Sequence, residues 1–234
     1  MVRPELITMD RPDSVAAEAY RALRTSIQFA SVDKDIKTLV ITSTSPEECK
    51  TSVVINLGIV IAQAGKLVLL IDGDLRNPSI HKNLELKNER GLSTIFLRDE
   101  PMEIDKYVIQ YSVNNLFVLP SGPLPPNPSE LLASERMKQF LARAKEKYDF
   151  IIIDSPPLLP VTDAAVVSKI CDGTVLLVRS GKAVIQATHR VKTILNNLKI
   201  NVLGVVITDV DQRKEHYYYY DYKYYGYKYN SYSK

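Results

Sequence analysis

Six aliphatic runs punctuate the chain: TLVITS (38–43), KLVLLIDGD (66–74), NLFVLPSG (115–122), FIIIDS (150–155), GTVLLVRS (173–180) and NVLGVVITDV (201–210). None alternates apolar with polar positions. Continuous Val/Ile/Leu runs of this length predict strands buried on both faces of a parallel sheet. Helical spacing fills the intervals. Val15, Ala19, Ala22, Leu23 and Ile27 recur at helical intervals between Ser14 and Phe29. Ser14 is placed to cap that helix, without the Glu or Gln three positions on that a capping box needs. Further helices are predicted at about 50–64, 162–170 and 183–197, with an amphipathic helix over 129–148 capped by Ser129. A loop with short helices covers about 78–106. Residues 1–13, polar and carrying Pro4 and Pro12, read as an extended arm.

Strand and helix alternate throughout, so the fold class is α/β, a mostly parallel sheet with helices on both faces. No repeat of 20–50 residues is present. After Gln212 the apolar pattern stops. HYYYYDYKYYGYKYNSYSK holds no aliphatic residue and predicts a disordered C-terminal tail. The organisation expected is one domain over 1–213, with the arm and first helix in 1–30, followed by a tail over 214–234.

Composition sharpens one point. Of 14 Tyr in 234 residues, ten lie between Tyr217 and Tyr232. The body is tyrosine-poor and the tail tyrosine-saturated. A net charge of +3 does not by itself imply a nucleic-acid partner. Two cysteines, Cys49 and Cys171, form neither a disulfide framework nor a metal-ligand spacing, which points to a reducing cytosol. The start of the chain lacks a signal-peptide core, and the longest apolar stretch, 53–65, falls short of the roughly 20 residues of a membrane span. Membrane association is therefore expected only through a partner.

Candidate chemistry clusters at strand ends, where open α/β sheets bind ligands. TSTSPEECKTS (42–52) follows a strand and opens a helix, which is P-loop context. Backbone N–H groups and a helix N-terminus cradle phosphates, a Lys reaches the β/γ-phosphates, and a hydroxyl binds Mg²⁺. Lys50 and Thr51 supply the last two, but Thr44 and Cys49 stand where the motif has glycines, so an ordinary strand–helix turn competes. Asp72 and Asp74, two apart in LLIDGDLRNP (69–78), share one face of an extended segment. They suit Mg²⁺ or a base for a hydroxyl nucleophile. Asp154 closes a buried run where an acid binding Mg²⁺ through water is expected, although such an Asp often only caps a helix. Three such ends in one sheet are hard to explain structurally.

These residues, with YDFIIIDSPPLLPVTDA and the tyrosine tail, resemble the bacterial protein-tyrosine kinases (BY-kinases) of capsule and exopolysaccharide synthesis. The resemblance covers nearly the whole chain. It is greatest to the cytoplasmic Gram-positive type, whose transmembrane activator is a separate protein. It implies a P-loop NTPase-like fold, ATP and Mg²⁺ as cofactors, and γ-phosphoryl transfer to tyrosine. Lys50 with the loop Ser45, Pro46, Glu47, Glu48, Cys49, Thr51 and Ser52 would hold the phosphates. Thr51, Asp74 and Asp154 would serve Mg²⁺, and Asp72 would act as base or orient the nucleophile. Arg76 would touch phosphate or form a structural salt bridge. EAYRALRTSIQF (18–29) resembles the family's E-x-x-R-x-x-R helix, so Glu18, Arg21 and Arg24 would join a ring-shaped homo-oligomer; a solvated charged face is the plainer account. SGPLPPNPSELLAS (121–134) is also similar to a family segment. No eukaryotic-type Gly-rich or H-R-D loop occurs.

Two departures stand out. The family has Gly where Cys49 stands, and a side chain there costs roughly 1–2 kcal/mol if φ is positive, which predicts weak nucleotide binding or slow turnover. Related ATPases place Asn for adenine where Thr208 and Asp209 stand. The tail reads as substrate: Tyr217, Tyr218, Tyr219, Tyr220, Tyr222, Tyr224, Tyr225, Tyr227, Tyr229 and Tyr232 would be phosphorylated in trans in a neighbour's site. An RNA-stacking tail competes, but the charge after residue 213 is only +2, a thin footprint. Two other functions remain open. One is a partition- or septum-type ATPase switch, although Ser45 occupies the position of its extra Lys. The other is a catalytically impaired scaffold.

Overall fold

The structure, a computed structural model, describes residues 6–30, 35–97 and 103–211. The tail, with all ten of its tyrosines, and the first five residues of the arm lie outside the described residues.

Helix α1 (Ile7–Asp10) and helix α2 (Val15–Ala30) precede the sheet. Ser14 caps α2 as expected, its hydroxyl accepting from Ala17 N at 3.1 Å. The arm is not extended throughout. Leu6 is buried, and Thr8 donates through both N–H and hydroxyl to Asn56 Oδ1 at 3.1 and 2.8 Å. Asn56, one of two polar residues inside the apolar run 53–65, thus tethers the arm, a non-local bond that local pattern does not reveal.

Strand β1 (Thr38–Ser43) runs into α3 (Lys50–Gln63), which leads to β2 (Val68–Asp72). Short helices α4 (Ile80–Asn83) and α5 (Leu92–Leu97) follow, then β3 (Ile109–Gln110) and β4 (Leu116–Leu119). The helix expected over 129–148 is two: α6 (Pro128–Ala133) and α7 (Glu135–Lys147). Ser134 breaks it by adopting extended backbone (φ −67°, ψ 153°) and capping α7 through its side chain, which accepts from Met137 N. Ser129 is therefore not the cap, and its hydroxyl is used elsewhere. Strand β5 (Phe150–Asp154), α8 (Asp163–Ile170), β6 (Gly173–Arg179), α9 (Ile185–Asn197) and β7 (Val202–Thr208) complete the described fold.

The seven strands lie in the order β3-β4-β2-β5-β1-β6-β7, all parallel except β3, which pairs antiparallel with β4. Adjacent residues of the central strands enter different cores. Leu39, Ile41, Val68, Leu70 and Ile152 pack with Val54, Leu57 and Ile61 of α3. Val40, Leu69, Ile71, Ile151 and Ile153 pack with Phe140 and Leu141 of α7. This explains the unbroken aliphatic runs: both side-chain directions lead into protein. Strand β7 departs from the expectation. It is the last strand of the sheet, and its Val205 and Ile207 are 57% and 62% exposed. An apolar run cannot distinguish a central strand from an edge strand whose outer side is uncovered.

Candidate active site

The carboxyl ends of β1, β2, β5, β6 and β7 converge on the loop between β1 and α3. Within that loop Ser43 Oγ donates to Ser45 O at 2.7 Å, and Ser45 N donates to Glu48 Oε2 at 3.0 Å. Glu48 is buried, its acid turned back on the loop's own amide. Pro46 and Glu47 are exposed. Helix α3 starts at Lys50, so the N-terminus of the helix opens at the end of this loop. Ser52 lies one turn in, its carbonyl accepting from Asn56 Nδ2 at 2.9 Å.

Glu47 and Cys49 are both left-handed, with φ of 61° and 64°. For L-residues with a Cβ that conformation costs roughly 1–2 kcal/mol each, and it persists only where neighbours over-determine it. Here the ends of β6 and β7 do so. Arg179 Nη1 donates to Glu47 O at 2.9 Å, and Arg179 N to Glu48 Oε1 at 3.4 Å. Thr208 Oγ1 donates to Glu48 O at 3.3 Å. Asp209 accepts from Arg179 Nε and Nη2 at 2.9 and 2.8 Å, which raises the guanidinium pKa further. Thr208 and Asp209, expected at the adenine, thus brace the loop and its arginine clamp. Arg179 was missed in the sequence, where it is one basic residue at a strand end.

Strain at Cys49 leads to a direct expectation. Cys49→Gly removes the left-handed penalty together with the Cβ beside the phosphate cradle, and should tighten nucleotide binding or raise turnover by giving the phosphates room to approach. Equilibrium nucleotide binding and autophosphorylation rate measure it. No gain in either would show that the clamp has already absorbed the cost.

Opposite the loop, Asp72 and Asp154 are direct partners across the β2–β5 pair, and both are buried. Asp72 Oδ2 accepts from Ser79 N and Ile80 N at 3.0 and 2.9 Å, with His81 Nδ1 4.0 Å away. Asp154 Oδ2 accepts from Thr51 Oγ1 at 2.5 Å. The second oxygen of each, Asp72 Oδ1 and Asp154 Oδ1, is buried without a partner. Burial, then the Asp72 charge, pushes Asp154 up to about 8, while the Thr51 hydrogen bond and Lys50 pull it down. Asp72 is also raised, chiefly by burial, and lowered in part by His81 and Ile80 N–H. Two buried carboxylates with idle oxygens call for a cation. Asp74 stands beside them, half-exposed, its Oδ1 accepting from Asn77 N at 3.0 Å. Among the described residues no three His, Cys, Asp or Glu side chains form a metal cage. A phosphate-bound Mg²⁺ needs none, because phosphates and waters supply most of its ligands.

Arg76 turns the other way. Its Nε and Nη2 reach both oxygens of Asp163 at 2.8 and 3.0 Å, and Ser129 Oγ donates to Asp163 Oδ1 at 2.5 Å. Burial opposes ionisation of Asp163, yet Arg76 and Ser129 hold it below the usual carboxylate range. Of the two readings of Arg76, this geometry is that of the salt bridge. On α2, Glu18 pairs with Arg21 at 2.8 Å on the surface, and Arg24 Nη1 donates to Val60 O of α3 at 3.0 Å. Ser79 and His81 are site residues that sequence reading missed. They follow DGDLRNP directly, but only the turn into α4 carries them back toward Asp72.

A strand–loop–helix with Lys50 and Thr51, facing two acids on neighbouring parallel strands, defines a P-loop NTPase-like protein. In agreement, residues 37–210 match the family model described as an AAA domain. The chain is 41% identical to the tyrosine-protein kinase YwqD of Bacillus subtilis over 92% of its own length and 90% of that protein's. It is 36% identical to the putative tyrosine-protein kinase CapB of Staphylococcus aureus, covering 92% and 94% of the two chains. The solved kinase domain of Escherichia coli tyrosine kinase ETK superposes with a TM-score of 0.85 at 35% identity, over 92% of this chain and 84% of that one. The chain belongs to the bacterial tyrosine-protein kinases.

Proposed function

We propose that this kinase transfers the γ-phosphoryl group of ATP to Tyr217–Tyr232 of a neighbouring copy in a ring-shaped homo-oligomer. In doing so it regulates capsular or exopolysaccharide synthesis and export. One observation carries the catalytic part: Asp72 and Asp154 adjoin on β2 and β5, each with an unpartnered oxygen, beside the Thr51 hydroxyl of the phosphate loop. Lys50 and the loop backbone over 45–52 hold the phosphates. Thr51, Asp74 and Asp154 hold Mg²⁺, Asp154 directly or through water. When bound, Mg²⁺ neutralises charge developing on the phosphates. Asp72, anchored through Oδ2 by two backbone N–H groups, keeps Oδ1 to take the phenolic proton. The phenolic oxygen bonds to the γ-phosphorus, the bond to the β–γ bridging oxygen breaks, and ADP leaves.

Glu18, Arg21 and Arg24 supply the ring contact. The cytoplasmic end of a separate transmembrane activator is the second partner, and the kinase works in the cytoplasm at the membrane through it. Among the described residues no helix is long and apolar enough to cross a membrane. Exposed Val205 and Ile207 on β7, with Val184 and Ile185 at the start of α9, support a protein partner at this side of the sheet.

Incubation with γ-labelled ATP and Mg²⁺ tests the proposal, with phosphosite mapping in the presence and absence of the activator's cytoplasmic peptide. Phosphotyrosine confined to the tail is expected. Free phosphate alone would identify an ATPase switch, and neither product would identify a scaffold.

A further inference from the structure

Ser79 has not been given a role by the proposed chemistry, yet its hydroxyl lies 2.7 Å from Thr51 Oγ1. Thr51 Oγ1 also contacts Asp154 Oδ2 at 2.5 Å. A hydroxyl oxygen carries one hydrogen and two lone pairs. A carboxylate that serves a cation is ionised and can only accept. The Thr51 hydrogen then belongs to Asp154, so the hydrogen between Thr51 and Ser79 is Ser79's own. It occupies one lone pair of Thr51 Oγ1. The other lone pair is left, and with both neighbours in place the hydroxyl rotor can point it in one direction only.

Ser79 is itself held. Its backbone N–H donates to Asp72 Oδ2 at 3.0 Å, alongside that of Ile80 at 2.9 Å. A single residue thus bonds Asp72 through its main chain and Thr51 through its side chain. Asp154 completes the circuit, being the cross-strand partner of Asp72 and the acceptor of Thr51.

We propose that Ser79 is a positioning residue of the Mg²⁺ site: its hydroxyl orients Thr51 so that the free lone pair meets the cation, and its backbone fixes that hydroxyl relative to Asp72. The proposal rests on the reading of Thr51 as a Mg²⁺ ligand. An alanine at 79 keeps the backbone bond to Asp72 and frees the Thr51 rotor. The loss should therefore fall on Mg²⁺ and spare the Mg²⁺-independent part of nucleotide binding.

The experiment uses the full chain and a fluorescent ADP analogue, titrated with Mg²⁺ at fixed nucleotide and then measured in EDTA. Ser79→Ala is expected to raise the half-saturating Mg²⁺ concentration about three- to tenfold, the worth of one oriented hydrogen bond. Binding in EDTA should be unchanged. Ser79→Thr, which keeps the hydroxyl, should stay near wild type. Thr51→Ala serves as the reference. If it abolishes Mg²⁺ dependence while Ser79→Ala matches wild type, the Ser79 proposal is overturned alone. If Thr51→Ala also leaves the Mg²⁺ dependence intact, the ligand reading falls and takes the Ser79 role with it. Equal weakening of Ser79→Ala with and without Mg²⁺ also overturns the proposal, because it would mark general damage to the loop.

Discussion

Asp154→Asn is expected to make the protein more stable without nucleotide while reducing phosphotransfer by at least about 10²-fold. Both effects follow from one carboxylate. Burial and the Asp72 charge push Asp154 up to about 8, whereas the same group in an unfolded chain titrates near 3.9. Between these values the folded protein keeps a proton that the unfolded chain has lost. The stability this carboxyl contributes is complete below about pH 4 and drains away as pH rises toward 8. Asparagine has no charge to bury. Its carbonyl can still accept the Thr51 hydroxyl, and its NH₂ replaces an oxygen that has no partner. The mutant's advantage in thermal melting should be near zero at pH 4 and grow steadily as pH rises toward 8. ATP with Mg²⁺ should narrow the gap, since it stabilises the wild type by binding where the carboxylates repel. A melting difference independent of pH would contradict this account of the site. So would a mutant that keeps its turnover.

Removing residues 217–234, or replacing their ten tyrosines with phenylalanine, is expected to reduce autophosphorylation to background. The four other tyrosines are Tyr20, Tyr107, Tyr111 and Tyr148. Tyr148 is buried, and burial of Tyr20 against α3 raises its hydroxyl pKa to about 12. Tyr148 offers no accessible phenol, and Tyr20 is half-buried. Transfer in trans has its own readout. A Lys50→Met chain with an intact tail, mixed with an active chain lacking its tail, should acquire phosphotyrosine; neither protein should label alone. Each phosphate adds roughly −1.5 to −2 charges, so heavily labelled protein should elute as smaller assemblies in size-exclusion chromatography. Undiminished labelling of the tail-less protein would remove the tail from the mechanism. Labelling of an active chain at a rate independent of its concentration would place the transfer in cis.

Much of the architecture is legible in the sequence because its determinants are local. Helical spacing with Ser14 at its head becomes α2, and the cap is made by the expected hydroxyl. Unbroken aliphatic runs become β1, β2 and β5, whose neighbouring residues enter opposite cores. Where local pattern misleads, a distant partner decides. Thr8 folds onto Asn56, Ser134 breaks a helix that period alone would continue, and β7 is left at an edge. Arg76 illustrates the limit at the site. Two residues beyond Asp74, it was equally compatible with phosphate and with a salt bridge, and Asp163, 87 positions away, holds it.

The sequence by itself determined the α/β class, the strand–loop–helix around 44–52, the acids at the ends of two strands and the concentration of tyrosines after residue 216. Each of these depends on residue type and spacing along one strand or one turn. Strand order, by contrast, is decided by which aliphatic faces bury one another. Only that order makes Asp72 and Asp154 neighbours and leaves an oxygen on each without a partner. The left-handed backbone at Glu47 and Cys49, the Arg179 brace that holds it, and the Ser79 hydroxyl on Thr51 arise in the same way. They are contacts between strand ends and turns that meet only once the sheet has formed.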